Sequence, residues 1–294
     1  MNLLKNIDIP KDYKYYRSHS KVYFSWILKN FSKKTIKIEE NGNYGYINHF
    51  FGGLFSIACF EKVNVIPTYE MMKKYKMKRG LIFWSGWSQD KPYLDTKLIW
   101  LKLGYLFSWG YHHSVKSSFS VLDQKEYWKK WERNARGHRN KIRKELDSGV
   151  IKINTNAKID DFINIYVNTK VKHNLKRYLI NRQKFLSEVG ENNIRIYLAY
   201  IESIPLAGAI FLDDSPTSTY LVAFQNDKGK KHNLGLALID KWFEESEKLG
   251  FKYLDLDHMR GFLDPNSYKG YTKFKSSIAD YELSFPNVWL GIIF

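Results

Sequence analysis

Between Ile194 and Asp257 the apolar positions recur with spacings that predict a continuous series of strands and one helix. Three apolar segments, IRIYLAYI, PLAGAIFL and STYLVAF, follow one another as antiparallel strands do, with a tight reversal expected at Glu202-Ser203. The polar segment QNDKGKKHN then precedes LGLALIDKWFEESEKLG, whose apolar spacing is helical, and FKYLDLD predicts another strand. A loop rich in Gly and Lys therefore leaves a strand and opens directly into a helix.

The loop before this helix predicts an anion-binding site. The amide N–H groups of a first helical turn have no partners within the helix, and the helix dipole is positive there. Gly235 would let the backbone approach a phosphate closely. The alternative is a solvated basic turn in which Gly235 and Ala237 only permit close packing of the helix on the sheet. The residues predicted to contact a phosphorylated donor are Lys231, His232, Asn233, Leu234, Gly235, Leu236 and Ala237.

Helices and strands also alternate in the rest of the chain after residue 122. The pair Asp123 and Glu126 has the spacing of a capping box and predicts one unbroken basic helix to about Leu146. The alternation as a whole predicts a mixed α/β sheet with helices on both faces. The other elements expected are a strand at 150–153, helices at 160–170 and 182–189, a helical turn near 272–278, and strands at 281–285 and 288–294.

The first 120 residues are rich in Trp, Tyr and Gly and have poor periodicity. A hairpin is expected over 36–47, and Pro67 with Thr68 predicts the start of a short helix. The character of the chain changes near residue 122. The predicted domains are therefore residues 1–122 and 123–294, and the last strands, 281–294, can pack on the first domain.

A net charge of +17 over 294 residues is the unusual feature of the composition. It favours polyanionic partners: nucleic acid, phosphorylated ligands or an anionic membrane face. A lysine-rich surface without such a partner is an equal alternative. The polar N-terminus does not resemble a signal peptide, and the apolar stretches 50–60 and 98–110 are too short or too interrupted to span a bilayer. A cytoplasmic protein is expected, with peripheral contact with the inner membrane face as an open alternative.

Two aspartates end the predicted strand FKYLDLD, at the edge where open α/β sheets bind ligands. Asp255 and Asp257 point to the same face if the strand is regular. Asp257 and His258 are the candidates for a proton-accepting group at this edge. A purely structural role for Asp257, as a cap for the following loop, is equally compatible with the sequence.

Arginines recur three or four residues apart on the predicted basic helix and share one stripe. Guanidinium groups suit phosphate, so the stripe predicts binding of an RNA backbone or of the diphosphate of a nucleotide-linked precursor. A solvated face is an equal alternative. The four residues of this arginine stripe are Arg133, Arg136, Arg139 and Arg143.

No metal site is predicted. His112 and His113 would point to opposite faces of a strand, so one ion would not bind both. The single cysteine, Cys59, excludes an internal disulfide and fits a reducing compartment. Without a nearby histidine, Cys59 is expected to be a small buried residue rather than a reactive thiol.

The order of these elements resembles the acyltransferase fold of the GNAT superfamily, and most closely that of the FemX-like (FemABX) aminoacyltransferases, which build peptidoglycan cross-bridges. The resemblance covers about residues 123–285 and depends on order and spacing rather than on one motif. His232 departs from it, because the acetyltransferase loop begins with Gln or Arg. The stretches that carry it are RNARGHRNKIRKELDSGVIKI, RIYLAYIESIPLAGAIFL with STYLVAF, HNLGLALIDKWFEESEKLGFKYLDLD, and GYTKFKSSIADY.

The resemblance implies a GNAT-like acyltransferase fold in a twin-domain arrangement, with an eroded first copy. It implies that Lys275 lies among the catalytic or donor-binding groups and that Phe274 lies beside the substrate. An exposed lysine on a short helix is the alternative. N–H groups near Val222 and Phe224 would polarise the donor carbonyl. No tightly bound cofactor is implied, and the co-substrate would be aminoacyl-tRNA or acetyl-coenzyme A.

The function expected is direct transfer of an acyl group from an activated donor to an amine. The Fem-like version, from tRNA to the amine of a cell-wall precursor in peptidoglycan biosynthesis, suits the basic excess. One alternative is an acetyl-coenzyme A-dependent N-acetyltransferase that acts on a small, sugar-linked or lipid-linked amine. Another is a non-catalytic basic protein of the same fold that holds RNA or an anionic surface.

Overall fold

A computed structural model describes residues 5–6, 10, 12–14, 35–63, 65–86, 97–102, 116–122, 126–168, 193–260, 269–284 and 288–294. Two short 3-10 helices, Phe51–Gly53 and Tyr127–Lys130, accompany the main elements. The strands and helices are β1 (Lys5–Asn6), β2 (Thr35–Glu40), β3 (Asn43–Phe50), β4 (Phe55–Val63), α1 (Tyr69–Lys74), β5 (Gly80–Gly86), β6 (Ile99–Lys102), β7 (Lys116–Val121), α2 (Arg133–Asp147), β8 (Ile151–Asn154), α3 (Ile159–Asn168), β9 (Ile194–Ile201), β10 (Ile204–Asp214), β11 (Thr217–Gln225), α4 (Asp227–Lys231), α5 (Leu234–Lys248), β12 (Tyr253–Met259), α6 (Lys269–Ser276), β13 (Tyr281–Ser284) and β14 (Trp289–Ile293).

The described residues separate into two compact units. One is made from residues within 1–5, 118–257 and 271–282, and the other from residues within 6–117, 258–270 and 283–294. Each unit has its own sheet and its own buried core.

Within the described residues, the first unit is built on an eight-stranded mixed sheet in the order β1-β13-β7-β12-β11-β10-β9-β8. Glu202 and Ser203 form the predicted reversal between β9 and β10. Both have positive φ, 51° and 66°, as in the two-residue turns that match strand twist. β9, β10 and β11 are antiparallel, and β11 is parallel to β12 through the α4–α5 connection.

Helix α5 covers this sheet with its apolar face. The ring of Trp242 stacks on that of Phe211 in β10, with centroids 4.6 Å apart, and its indole N–H donates to the hydroxyl of Ser218 at 2.9 Å. Gly250, at φ 78°, follows the end of the helix in the left-handed conformation that terminates helices. The strand–helix–strand order predicted for this region is confirmed, and the segment predicted as a loop contains the short helix α4.

The second unit is built on a six-stranded mixed sheet, counted over the described residues, in the order β2-β3-β4-β5-β14-β6. Strand β14, from the end of the chain, lies between β5 and β6 and is antiparallel to both. Thr68 caps α1 by accepting the N–H of Met71 at 3.2 Å, as its position before the helix predicts. The core centres on the buried side chains of Ile47 and Trp84.

The unbroken helix predicted for 123–146 is wrong. The 3-10 helix at Tyr127–Lys130 is separated from α2 by Trp131, whose backbone is extended. The ring of Trp131 is buried, 5.7 Å from that of Tyr127 and 5.4 Å from that of Phe243. Tertiary packing of a large ring here outweighs helix propensity. Glu126 has φ 69° and is not in a helical first turn, and Asp123 and the helix predicted at 182–189 lie outside the described residues.

Candidate active site

Strands β11 and β12 separate part-way along their length. They pair in parallel only from Thr217 opposite Tyr253 to Thr219 opposite Asp255. β11 continues to Gln225, still paired with β10 on its other side. From Tyr220 onward the edge of β11 that faced β12 therefore has no partner strand in the described part of the chain. Alternate amide and carbonyl groups along 220–225 face this gap.

A β-bulge lies where the two strands part. The register of β10 with β11 shifts between Ile210, opposite Val222, and Phe211, opposite Tyr220. Leu221 is thus the extra residue in β11. Bulges increase local twist and redirect side chains, which explains why β11 turns away from β12 at this point.

A parallel strand pair in the other unit does not separate in this way. β4 and β5 are also parallel and joined through a helix, but they pair from Ser56 opposite Gly80 to Phe60 opposite Trp84, and again at Val63 opposite Gly86. A sheet that stays paired offers no backbone groups between its strands. The gap between β11 and β12 therefore indicates that a ligand-binding site lies in the first unit.

Lys275 lies beside this gap. Its side chain, carried by α6, is only 6% exposed. Its ammonium nitrogen lies 5.8 Å from the ring centroid of Tyr220 and 5.1 Å from that of Tyr271, within the range of cation–π attraction. The alternative of an exposed lysine is wrong for Lys275, whereas Lys273 on the same helix is exposed.

Tyr220 keeps its proton at neutral pH. Burial raises the pKa of its phenol, since the phenolate would lose hydration. A neutral phenol can donate a hydrogen bond but is not a general base. Tyr220 and Lys275 are thus a donor and a cation that share one side of the gap.

Asp257 has strained backbone geometry within β12. Its φ is 62°, a left-handed value that is uncommon for residues other than glycine. Its N–H donates to Oδ1 of Asp255 at 2.7 Å, and both carboxylates are buried. The expectation that Asp255 and Asp257 point to one face assumed a regular strand, and this strand is not regular at Asp257. His258, the next residue, is half-buried.

Three amide groups of the predicted anion site already have internal acceptors. Gly235 N–H donates to Oε1 of Gln225 at 3.1 Å, and the N–H groups of Leu236 and Ala237 donate to the carbonyl of Asn233 at 2.9 and 3.1 Å. The premise of a free amide cradle is therefore wrong for these three donors. The bond from Gly235 could not be predicted from the sequence, because the Gln225 side chain lies ten residues away, whereas those of Leu236 and Ala237 are local bonds at the helix start.

The loop before α5 is itself largely ordered by short-range contacts. Asn226 caps the short helix α4 by accepting the N–H of Gly229 at 2.8 Å. The ring nitrogen Nδ1 of His232 lies 3.4 Å from Glu145 Oε2, and the amide nitrogen of Asn233 lies 3.4 Å from His138 Nδ1, both on α2. Of the predicted loop residues, Lys231 is exposed and Leu234 is buried.

The arginine stripe is divided by its contacts. Arg139 Nε donates to Asp240 Oδ1 at 2.7 Å, and Arg143 Nε donates to Asp240 Oδ2 at 2.6 Å. Arg143 also donates through both terminal nitrogens to Glu244 at 3.1 Å. These ion pairs tie α2 to α5. Arg133 is exposed and Arg136 is half-buried. Ligand binding by the arginine stripe stays a prediction, and Arg133 and Arg136 are the two members that it concerns most.

The remaining predicted residues are Val222, Phe224 and Phe274. Val222 is half-buried on β11. The Phe224 ring packs against α3, with centroids 5.1 Å from Phe162 and 5.4 Å from Tyr166. Phe274 is half-buried and packs against the hydrophobic core of the first unit. A contribution of Val222 and Phe224 to donor binding would therefore come from their backbones.

Asp240, Tyr220 and Tyr271 are the residues that the sequence interpretation did not single out. Asp240 interrupts the apolar run LGLALIDKWF. Because carboxylates are rarely buried unless they are paired, its position in a chain with an arginine stripe indicates a buried ion pair. Tyr220 and Tyr271 carry no comparable signal, because aromatic residues are frequent throughout this chain.

Other chemistry is not apparent in the described part of the chain. No three His, Cys, Asp or Glu side chains converge there as metal ligands, and His112 and His113 lie outside it. Burial raises the pKa of the Cys59 thiol to about 12, so the reactive thiolate is disfavoured. None of the helices described is both long enough and apolar enough to cross a membrane.

Comparison with solved structures identifies the fold. FemX matches with a TM-score of 0.66 at 10% identity, over 95% of this chain and 92% of that chain. A conserved protein of unknown function from Bacteroides thetaiotaomicron VPI-5482 matches with a TM-score of 0.55 at 11% identity, over 99% of this chain and 100% of that chain. No family model and no curated protein matches the sequence. The predicted mixed α/β, FemX-like fold is confirmed, and the chain has the fold of FemX.

Proposed function

We propose that the protein is a cytoplasmic acyltransferase that moves an aminoacyl group from tRNA to the amine of a cell-wall precursor. The observation that carries the proposal is the gap between β11 and β12, beside which Lys275 is buried, in a chain with the fold of FemX. The finer parts, tRNA as donor and a cell-wall precursor as acceptor, follow the FemX likeness and the net charge of +17.

The gap suits attack on an ester carbonyl. The amine nitrogen forms a bond to the carbonyl carbon, and the tetrahedral intermediate carries negative charge on the carbonyl oxygen. In this proposal, backbone N–H groups of β11 and the Lys275 ammonium stabilise this charge, since preorganised donors lower such barriers most. The ester C–O bond then breaks, and the donor hydroxyl leaves.

The proton released by the attacking amine needs an acceptor. Asp257 lies in β12, beyond the last residue of that strand that pairs with β11, and its carboxylate is the candidate base. It would take the proton from the amine and pass it to the leaving oxygen, which balances the reaction without a covalent enzyme intermediate. Tyr220, protonated at neutral pH, fits the role of a hydrogen-bond donor instead.

The state of the loop before α5 favours the tRNA donor over coenzyme A. A pyrophosphate would need amide donors at this helix start, and those of Gly235, Leu236 and Ala237 have internal acceptors. An aminoacyl-tRNA requires only that its terminal ester reach the gap. A non-catalytic binder that depends on the arginine stripe is disfavoured, because Arg139 and Arg143 are used in ion pairs.

The proposal is tested by a donor comparison. Purified protein is incubated with tRNA charged with a mixture of labelled amino acids, or with labelled acetyl-coenzyme A, each with a preparation of amine-bearing cell-wall precursors. Transfer of label from tRNA to the precursor fraction, and none from acetyl-coenzyme A, is the expected result. Label from acetyl-coenzyme A alone would replace the proposal by N-acetyl transfer, and no transfer from either donor would refute it.

A further inference from the structure

The turn between β3 and β4 exposes large apolar side chains at one end of the six-stranded sheet. Phe51 is 80% exposed and Leu54 is 75% exposed, and Phe50 beside them is 37% exposed. Soluble proteins scatter single exposed apolar residues, but clusters of large ones mark interaction sites. Residues 50–54 are called the apolar tip below.

Two glycines shape this tip. Gly52 and Gly53 have φ values of 70° and 94°, and an added Cβ at either position would meet no atom within 4 Å. The turn therefore has open space around these two glycines in the described part of the chain. It presents the Phe51 ring and the Leu54 side chain outward instead of folding them onto the sheet.

The surroundings of the tip are basic. The Arg79 carbonyl accepts the N–H of Ser56 at 2.9 Å, which brings the segment before β5 to the base of the tip. Lys78 and Arg79 are both exposed. The sequences that meet here, NHFFGGLFSI at 48–57 and KMKRGLI at 76–82, contain no acidic residue.

We propose that the apolar tip is a docking site for a lipid bilayer that carries anionic headgroups. Apolar side chains that insert at the headgroup boundary, together with adjacent basic residues, are the combination that binds peripheral proteins to anionic membranes. A narrow turn that ends in one ring and one aliphatic side chain suits insertion between lipids. It offers little area for a stable protein interface, which needs roughly 800 Å² on each partner. The proposal does not depend on the transfer reaction.

The test is sedimentation of the full-length protein with vesicles. Wild type is mixed with phosphatidylcholine vesicles or with vesicles of phosphatidylcholine and phosphatidylglycerol. Binding to the anionic vesicles is expected, and it should weaken as salt screens the basic residues. The double variant Phe51→Ser/Leu54→Ser should lose at least about tenfold in affinity, because both apolar side chains no longer enter the bilayer. The variant Lys78→Gln/Arg79→Gln should lose roughly fivefold for each charge removed.

The matched control is Leu249→Ser, which removes an aliphatic side chain that is 62% exposed in the other unit. It should bind anionic vesicles as wild type does. Circular dichroism and gel filtration of every variant establish that fold and oligomeric state are retained. The proposal is overturned if wild type does not sediment with anionic vesicles, or if the tip variant and Leu249→Ser bind equally. It is also overturned if the tip variant only dissociates a dimer in solution, since a second copy of the chain would then be the occupant.

Discussion

Replacing Asp240 by Asn should destabilise the first unit strongly. The Asp240 side chain is 1% exposed, and its two oxygens accept from Arg139 and Arg143 at 2.7 and 2.6 Å. The hydroxyl of Tyr127 also donates to it, at 2.9 Å. Burial, and then the negative charge of Asp240, raise the pKa of that phenol, so it keeps its proton. Asparagine preserves the size of the side chain and removes the charge that both arginines need.

The magnitude follows from the exposure of the two arginines. Breaking a buried ion pair by removing one partner costs about 3–5 kcal/mol. Arg143 is 32% exposed and keeps Glu244 as a partner, so solvent screens most of its loss. Arg139 is 14% exposed and bears the main penalty. We therefore expect the low end, about 3 kcal/mol, which corresponds to roughly 6–12 °C in Tm for a domain of this size.

Thermal unfolding followed by circular dichroism measures the effect. Asp240→Asn and Arg139→Ala should both lower the midpoint of the transition, whereas Arg133→Ala, on the exposed end of the same helix, should not. The same variants separate stability from binding, because Arg133→Ala together with Arg136→Ala should weaken tRNA binding at an unchanged Tm. A midpoint for Asp240→Asn within about 2 °C of wild type would refute the assigned ion-pair role.

Other predictions concern single positions. Gly229→Ala should lower stability, because an added Cβ would lie 2.8 Å from a backbone carbonyl of β10, whereas Gly137→Ala, in an open helical position, should raise it by up to about 1 kcal/mol; urea denaturation of the two variants checks the opposite signs. Cys59 is half-buried and its thiol has a raised pKa, so it should react slowly with a thiol reagent at neutral pH in the folded protein and faster after denaturation, and rapid native labelling would contradict the raised pKa. Burial alone would raise the pKa of Glu244, but hydrogen bonds from basic neighbours lower it to about 2. Its charge therefore stabilises the folded state above the ordinary pKa of 4.5, and the difference in Tm between wild type and Glu244→Gln should shrink as the pH falls from about 4.5 to about 2; a difference that does not change with pH would refute this.

The sequence was sufficient where local pattern determines structure. The three strands from Ile194 onward are contiguous antiparallel neighbours, and their turn and alternation can be recognised without knowledge of the rest of the chain. The helix break at Trp131 could not be predicted in the same way, because it depends on packing against Phe243, more than a hundred residues away.

The candidate site could be predicted only in part, because it also depends on contacts between residues that are distant in the sequence. Lys275 followed from the resemblance, but its contact with Tyr220 joins elements that the sequence does not show to be adjacent. The amides at Gly235 looked free because the sequence does not reveal which side chain lies over them. The positive φ of Asp257 could not be predicted either, because nothing in the sequence distinguishes this aspartate from one in a regular strand.

The most direct test of the transfer site compares Lys275→Met with Lys273→Met. Methionine fills the space of the buried lysine stem without its charge, so the fold should be retained, which circular dichroism verifies. Lys273 is exposed on the same helix, so its substitution removes one positive charge without touching the gap.

The transfer rate with charged tRNA should fall by at least about a hundredfold in Lys275→Met, because a preorganised cation near the developing oxyanion is lost. It should be unchanged in Lys273→Met. Equal rates for the two variants, with both folded, would contradict the assignment of the gap between β11 and β12 as the active site.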